Sequence, residues 1–451
     1  MKGSLLHSFY NRDQGARIAG MLFMKGRREA IAHYALLYLM VAMGDSFLYD
    51  RVLIRLCPII AVVSLMLVLS SRKTQYVFPI SILALGTLAM LYVRSTTNAM
   101  GPTELLTWMA MICVTIVAVG FNTAKFLERL VRLVAALASI SVCVYAISLV
   151  IPGIWSHITP VSFPLLFGEG YWVDSATYIT TNYYQAHGLF FYVDRGFDFE
   201  RNVGIFREPA VYQVLLNSMI FVLLYMCPKA LESNKKKYIV LFVVTLLTTE
   251  SATGYLLMCI LFLGYALELG RKGRGIPPVI LVLIALGASA LLVAILFVNN
   301  SWLTDTIFGR FFSDEGFSID ASGNARVGAA RISMDLMAAH PLGSGYDVYS
   351  TALDTKSTGY LAACLFRLFA VYGIPFGAAV VAWVFYPVFF KPGLPLLAKV
   401  SFVIMYLLAT FFEDEIFYTT LIFIPIFLFF SATWLADNNS VKNDVFDRED
   451  S

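Results

Sequence analysis

The sequence predicts an all-α polytopic membrane protein with about twelve transmembrane helices and two large polar loops on one face. Two features of its composition predict this class: 59% of the 451 residues are hydrophobic and only 14% are charged. Soluble domains carry about 25% charged residues. The third feature is the length of the apolar runs, because a helix needs roughly 20 apolar residues to cross a bilayer.

The apolar runs divide the chain into three groups of spans, two loops and two tails. The regions are a tail with five spans at 1–150, the first loop at 151–207, four spans at 208–298, the second loop at 299–357, three spans at 358–436 and a tail at 437–451. The predicted spans are Ile31–Tyr49, Val52–Ser70, Tyr76–Val93, Pro102–Phe121, Leu130–Val150, Pro209–Cys227, Tyr238–Thr249, Ala252–Leu269, Pro277–Val298, Leu361–Phe390, Ala398–Phe412 and Ile416–Ala436.

Two of these spans have unusual lengths. Tyr238–Thr249 is short, so it is either a separate span or continuous with the next one across Glu250. Leu361–Phe390 is long, and Pro375 is a candidate break that would leave a short interfacial helix before the span, since proline ends or kinks a helix. A loop helix is also predicted at Asn324–Ala339.

The distribution of positive charge predicts the orientation. Most of the 33 lysines and arginines fall in the N-terminal tail and in alternate short loops, such as Lys235–Lys237 and Arg271–Lys272. Cytoplasmic loops of membrane proteins carry this excess of positive charge. Both termini are therefore predicted to be cytoplasmic, and both long loops are predicted to lie outside.

Arginine is the main cation of the two outer loops and their flanks. These residues are Arg195, Arg201, Arg207, Arg310, Arg326, Arg331, Lys356 and Arg367. The planar guanidinium binds phosphate through two parallel hydrogen bonds, whereas lysine is a point charge. The pattern favours a site for a lipid-linked pyrophosphate. Salt bridges with the acidic residues of the same loops are the alternative interpretation.

Other features narrow the chemistry. The sequence contains no GxxxxGK[ST] loop, HExxH motif or nucleotide fold, so we expect no metal, no cofactor and no nucleic acid partner. An activated donor would then arrive from the lipid bilayer. The first loop is rich in aromatic residues, which either stack on sugar rings or form a belt at the membrane interface.

Four stretches of the second half resemble one family. They are RNVGIFREPAVYQVLLN from Arg201, LLTTESATGYL at Leu246–Leu256, GNARVGAARISMDLMAAHPLGSGYD at Gly323–Asp347 and the closing FFEDEIFYTTLIFIPIFLFF. In this order they are similar to the motifs of bacterial O-antigen and exopolysaccharide polymerases and the related O-antigen ligases. The resemblance runs from Arg201 to the C-terminus, whereas the first half matches only as membrane spans.

The resemblance implies a metal-independent glycosyltransferase with a GT-C-like scaffold in the bacterial inner membrane, with both loops in the periplasm. Its substrate would be an undecaprenyl-pyrophosphate-linked oligosaccharide, and a flippase and a chain-length regulator are expected partners. Arg201 and Arg326 would hold the donor pyrophosphate, with Arg207 and Arg331 beside them. Glu208 or His340 would be the catalytic base, and Glu208 in the Phe-Arg-Glu-Pro run favours a polymerase. The other candidate site residues are Glu250, Ser251, Gly343, Gly345 and Asp347.

Each candidate outside the arginines also has a structural interpretation. Glu208 before Pro209 is a good helix N-cap, and His340 before Pro341 can end the loop helix. Gly343 and Gly345 either permit a tight turn or bring backbone N–H groups to a phosphate. Glu250 and Ser251 form either a polar contact between helices or a wall of the site, and Asp347 can pair with a loop arginine.

Three functions therefore remain open. The first is a polymerase that transfers a growing glycan from undecaprenyl pyrophosphate to a lipid-linked repeat unit. The second is a ligase that transfers the finished glycan to a lipid or protein acceptor. The third is a transporter for a polysaccharide or another polar solute, which the sequence disfavours because the charges lie in loops at one face and not in mid-span.

Overall fold

The computed structural model describes residues 27–44, 102–151, 184–186, 190–194, 201–206, 208–273, 321–355, 364–412 and 425–433, with isolated positions between residues 46 and 66 and at residue 154. Over these ranges the chain is mostly helical. The predicted spans Tyr76–Val93 and Pro277–Val298 lie outside the described residues, and so does Arg207.

The described helices are numbered in chain order. They are α1 (27–42), α2 (Pro102–Phe121), α3 (Thr123–Val150), α4 (Pro209–Tyr225), α5 (Lys235–Leu247), α6 (Ala252–Arg271), α7 (Ala321–Ala339), α8 (Tyr346–Thr355), α9 (Cys364–Tyr372), α10 (Ile374–Phe390), α11 (Leu396–Phe412) and α12 (425–433). A short 3-10 helix, Lys229–Asn234, precedes α5. The α2 helix coincides with the predicted span Pro102–Phe121.

Some of the described helices are long and apolar enough to cross a bilayer. Two qualify alone, Thr123–Val150 and Thr253–Arg271, and the pair Pro209–Tyr225 and Lys229–Leu247 qualifies as a third if its 110° bend lies within one span. Shorter apolar helices include Ile374–Phe390. These helices are consistent with association with a membrane, and the number of about twelve spans stays a prediction.

A short β-hairpin lies in the first loop of this mostly helical chain. Tyr184–Ala186 (β1) and Tyr192–Asp194 (β2) pair as an antiparallel hairpin, with Gln185 opposite Val193. Tyrosine and valine favour strands, but a three-residue strand carries too little periodicity to be recognised from sequence. The ring of Phe190, between the strands, packs edge-on against Tyr38 of α1 at 5.8 Å.

The α3 helix begins seven residues before its predicted apolar start at Leu130. Asn122 is the N-cap, and its side chain accepts a hydrogen bond from the N–H of Lys125 at 3.1 Å. Arg129 is buried inside this extension, where it donates to Nδ1 of His33 at 2.8 Å. The ring of His33 in turn contacts the carbonyl of Ala118 at 2.9 Å. A buried charge needs such partners. Because Arg129 has them, this part of the chain can be helical and buried, although its low apolar content predicts a loop.

Two breaks between helices lie in the second half of the chain, one between α5 and α6 and one between α9 and α10. The α5 helix ends at Leu247 and α6 begins at Ala252, so Tyr238–Thr249 does not continue across Glu250 as one helix. The predicted break in Leu361–Phe390 is confirmed: α9 ends at Tyr372, and α10 begins just after Gly373 with Pro375 in its first turn.

Basic residues at the start of α5 and at the end of α6, two of the predicted cytoplasmic segments, lie at one end of the helix bundle. The ammonium of Lys235, at the start of α5, lies 5.5 Å from the ring centroid of Tyr265 near the end of α6. The α11 helix also begins at this end, because the hydroxyl of Tyr225 at the end of α4 lies 3.3 Å from that of Ser401. Arg201 lies at the opposite end, next to the turn between α5 and α6. This is the asymmetry that the positive-inside rule describes.

Candidate functional site

A non-helical segment, Arg201–Phe206, which contains a turn at Gly204, inserts into the bundle just before α4. Val203, Ile205 and Phe206 are almost completely buried, and Phe206 forms an isolated β-bridge with Ser46. The apolar side chains stabilise the segment by burial, at roughly 1.5–3 kcal/mol for each large residue. The backbone at Arg201 is thereby held against the surrounding helices.

Asn202 is the polar centre of this segment. Its side-chain amide donates to the hydroxyl of Thr248 at 2.8 Å and to that of Ser141 at 3.3 Å. Its side-chain oxygen accepts from the N–H of Gly204 at 3.1 Å, and its own N–H donates to the carbonyl of Thr248 at 3.0 Å. Ser141 is also 2.9 Å from the hydroxyl of Tyr212. Asn202 therefore joins the segment to α3, to α4 and to the end of α5.

We expect Asn202→Ala to lower the free energy of unfolding by about 1–3 kcal/mol, because it leaves buried partners unpaired. The measurement is denaturant unfolding of the purified protein in lipid nanodiscs. Asn234→Ala is the matched control, since Asn234 is exposed and its side chain does not cap α5. Equal stability of the two variants would contradict the role given to Asn202.

Arg201 and Glu250 meet beside this network. The guanidinium of Arg201 donates to the backbone carbonyl of Glu250 at 3.2 Å. The Oε1 atom of Glu250 lies 3.5 Å from the hydroxyl of Tyr145 on α3. Tyr255 lies in the same group and donates to the carbonyl of Leu247 at 2.8 Å. We call these four residues, Tyr145, Arg201, Glu250 and Tyr255, the Arg201–Glu250 cluster.

The turn between α5 and α6 has a strained backbone at Glu250. Glu250 has φ of +52°, and among the described residues no other non-glycine residue has a positive φ. Ser251 is the N-cap of α6, where its hydroxyl accepts from the N–H of Gly254 at 3.3 Å. The backbone N–H groups of a helix start need such an acceptor. Neither interpretation of Ser251 from sequence, a contact between helices or a site wall, included this capping role.

Glu208 lies at the start of α4. It occupies the N-cap position with an extended backbone, Pro209 follows it, and its side chain makes no capping hydrogen bond. The side chain is exposed. The position agrees with the N-cap interpretation, and the carboxylate benefits from the positive end of the helix dipole there.

The second loop presents its candidate residues on and after α7. Arg326 lies in the first half of this helix, and its side chain is outside the described part of the chain. Arg331 and His340 are both exposed. The N–H of His340 donates to the carbonyl of Leu336 at 2.7 Å, so this residue ends the helix. Asp347 is exposed in the first turn of α8.

The turn after α7 docks on the junction between α9 and α10. The N–H groups of Ser344 and Gly345 donate to the carbonyls of Ala370 and Val371, at 2.9 and 3.2 Å. The N–H of Gly343 donates to the carbonyl of His340 at 2.9 Å. These N–H groups are therefore already bonded within the protein, which favours the turn interpretation of Gly343 and Gly345 over the phosphate interpretation. Both glycines have positive φ, +111° and +82°.

The structure thus brings together only part of the predicted set. Arg201, Glu250 and Ser251 form one group at the α5–α6 turn. The other described candidates lie on other elements: Glu208 at the start of α4, Arg331 on α7, His340 just after it and Asp347 in α8. The contact of Glu250 with Tyr145 of α3 agrees with the alternative interpretation, a polar contact between helices.

Sequence reasoning missed three residues that the geometry singles out. Nothing in the sequence distinguishes Asn202 and Tyr145 from their neighbours. Their importance follows only from the hydrogen bonds that they make in the folded protein. Arg367, noted only as one of the outer arginines, is buried in α9 with 6% of its surface exposed. A charge in an apolar run is the signal that could have found it, since such charges are retained when they are paired or used.

The arrangement offers a guanidinium that is bonded to the backbone of a glutamate residue. A guanidinium has five N–H donors, and within the described residues Arg201 uses one of them on Glu250. No group of three or more His, Cys, Asp and Glu side chains placed to hold a metal ion lies within the described ranges.

Comparison with models of known families, with characterised proteins and with solved structures finds no match to the chain.

Proposed function

We propose that the protein is a membrane glycosyltransferase that transfers a growing glycan from undecaprenyl pyrophosphate to a lipid-linked repeat unit at the periplasmic face of the inner membrane. The observation that carries the proposal is the Arg201–Glu250 cluster, in which a guanidinium, a group suited to phosphate, lies 3.2 Å from the backbone carbonyl of a glutamate. The cluster lies at the end of the bundle opposite the lysine-rich end, where the positive-inside rule expects the outer surface.

The cluster has the chemical parts that this transfer needs. When the bond between sugar and diphosphate breaks, negative charge develops on the departing phosphate oxygen, and a guanidinium stabilises that charge. The neighbouring Asn202 network fixes the backbone beside Arg201, and the carbonyl of Glu250 accepts from its guanidinium, so less reorganisation is needed during the reaction. The described half of the second loop adds Arg331 on α7 as a further cation for the outer face.

Two motifs of the family resemblance lie in the cluster. Arg201 opens the first stretch, and Glu250 lies in the second, which also supplies Ser251 and the turn between α5 and α6. The α5–α6 turn brings two stretches that are 49 positions apart into hydrogen-bonding contact. This contact supports treating the separate sequence motifs as parts of one site.

A deletion strain tests the proposed reaction. Loss of a polymerase leaves a single repeat unit on its final acceptor, whereas loss of a ligase leaves long polymer on undecaprenyl pyrophosphate. We expect the first pattern, measured by electrophoresis of the surface glycan and by mass spectrometry of the extracted polyprenyl lipids. Polymer stranded on the lipid would assign the ligase reaction, and unchanged glycan in both pools would contradict a glycosyltransferase of either kind.

A further inference from the structure

The strained turn at Glu250 points to a role beyond packing. A left-handed backbone is strained for an ordinary L-residue, whereas glycine adopts it readily. Glycine ends many helices for this reason. The chain places a glutamate at this position, with φ of +52°. Strain of this kind at a non-glycine residue is a reason to look for a function of the side chain.

The surroundings of Glu250 show where its carboxylate lies. Its side chain is half-buried, and Oε1 is 3.5 Å from the hydroxyl of Tyr145. The guanidinium of Arg201 is held by the carbonyl of the same residue. Any group bound by Arg201 is therefore next to the residue that carries this carboxylate.

We infer that Glu250 is the catalytic base, an inference that rests on the proposed transfer reaction. Its carboxylate takes the proton from the attacking hydroxyl of the acceptor sugar. The hydroxyl oxygen forms a bond to the anomeric carbon of the donor sugar, and the bond from that carbon to the diphosphate oxygen breaks. The electron pair leaves with the undecaprenyl pyrophosphate, whose charge Arg201 stabilises. The proton is released to solvent before the next turnover.

The geometry favours Glu250 over the two bases that the sequence suggested. Glu208 and His340 are exposed, whereas the side chain of Glu250 is half-buried and its backbone carbonyl accepts a hydrogen bond from Arg201. Tyr145 orients the Glu250 carboxylate through its hydroxyl, which makes it a positioning residue. A single displacement assisted by a base inverts the configuration at the anomeric carbon, whereas a glutamate nucleophile would retain it.

The test compares Glu250→Gln, Glu250→Gly and Tyr145→Phe in nanodiscs. The donor and acceptor are lipid extracts that contain the undecaprenyl-pyrophosphate-linked repeat unit accumulated by the deletion strain. We expect Glu250→Gln to lower kcat by about 100-fold or more with little change in KM, which is the typical loss of a general base. Tyr145→Phe should lower kcat less.

Glu250→Gly separates chemistry from structure. Glycine relieves the positive φ, so this variant should be at least as stable as the wild type, while its activity is lost. Added formate, a small carboxylate that can occupy the vacated space, should restore part of the rate. Full activity of Glu250→Gln, or retained configuration in the product, would overturn the role as base. If the wild type itself transfers no glycan, the proposed function fails and not merely the assignment of its base.

Discussion

Replacing Arg201 by alanine should abolish polymer formation, with a fall of about 100- to 1000-fold in the rate of transfer. This is the loss expected when one preorganised group that stabilises developing negative charge is removed. Arg201→Lys should recover only part of the activity, because an ammonium cannot bind phosphate through two parallel hydrogen bonds. The measurement is release of undecaprenyl pyrophosphate in membranes that contain equal amounts of inserted protein.

Arg132→Ala is the matched control for Arg201→Ala. Arg132 is a surface arginine of α3 that pairs with Glu128 at 2.9 Å, and it lies toward the lysine-rich end of the bundle. An exposed pair of this kind contributes little to stability, so its removal should leave activity near the wild-type level. Long glycan chains made equally well by Arg201→Ala and Arg132→Ala would remove the role assigned to Arg201.

Replacing Gly373 by alanine should be the most damaging of the small substitutions. A Cβ atom at Gly373 would lie 2.5 Å from the carbonyl carbon of Leu342, in the turn that docks there, and Gly373 has φ of +92°. The atoms nearest to this Cβ are all backbone atoms of Leu342 and Gly343, which cannot rotate away as a side chain can. The docking of the second loop should therefore be lost. We expect a loss of about 3 kcal/mol or more in the free energy of unfolding, at the upper end of overpacking effects.

The matched control for Gly373→Ala is Gly393→Ala. Gly393 also has a positive φ, +73°, but no atom lies within 4 Å of the added Cβ. Its free energy of unfolding should therefore fall only by the cost of a left-handed backbone for alanine, roughly 1–2 kcal/mol. Limited proteolysis around residues 340–346 should increase in the first variant alone. Equal stability and equal cleavage of the two variants would show that the turn does not dock on the α9–α10 junction.

Much of the helical architecture could be predicted from the sequence, because apolar length and caps are local properties. The α2 helix matches its prediction at both ends, and the break before Pro375 follows from the restricted backbone of proline. The start of α3 was predicted too late because Arg129 is buried with partners from α1. Partners 96 positions away are not visible in a local pattern.

The candidate site was predictable only in part. Charge and composition single out Arg201 and Glu250, since each is an ionisable residue beside an apolar run. The hydrogen bond between them, the strained φ of Glu250 and the central position of Asn202 depend on how α3, α5 and α6 pack. The docking of Gly343 and Gly345 likewise depends on a backbone contact with α9.

The most direct test of the central claim is the position of the diphosphate itself. A structure of the protein determined by electron cryomicroscopy in nanodiscs with undecaprenyl pyrophosphate would locate it. We predict density for the diphosphate within about 3 Å of the Arg201 guanidinium, the usual distance of a charge-assisted hydrogen bond, with the Glu250 carboxylate facing the same space. A diphosphate bound elsewhere on the protein, with Arg201 contacting only the carbonyl of Glu250, would contradict the account.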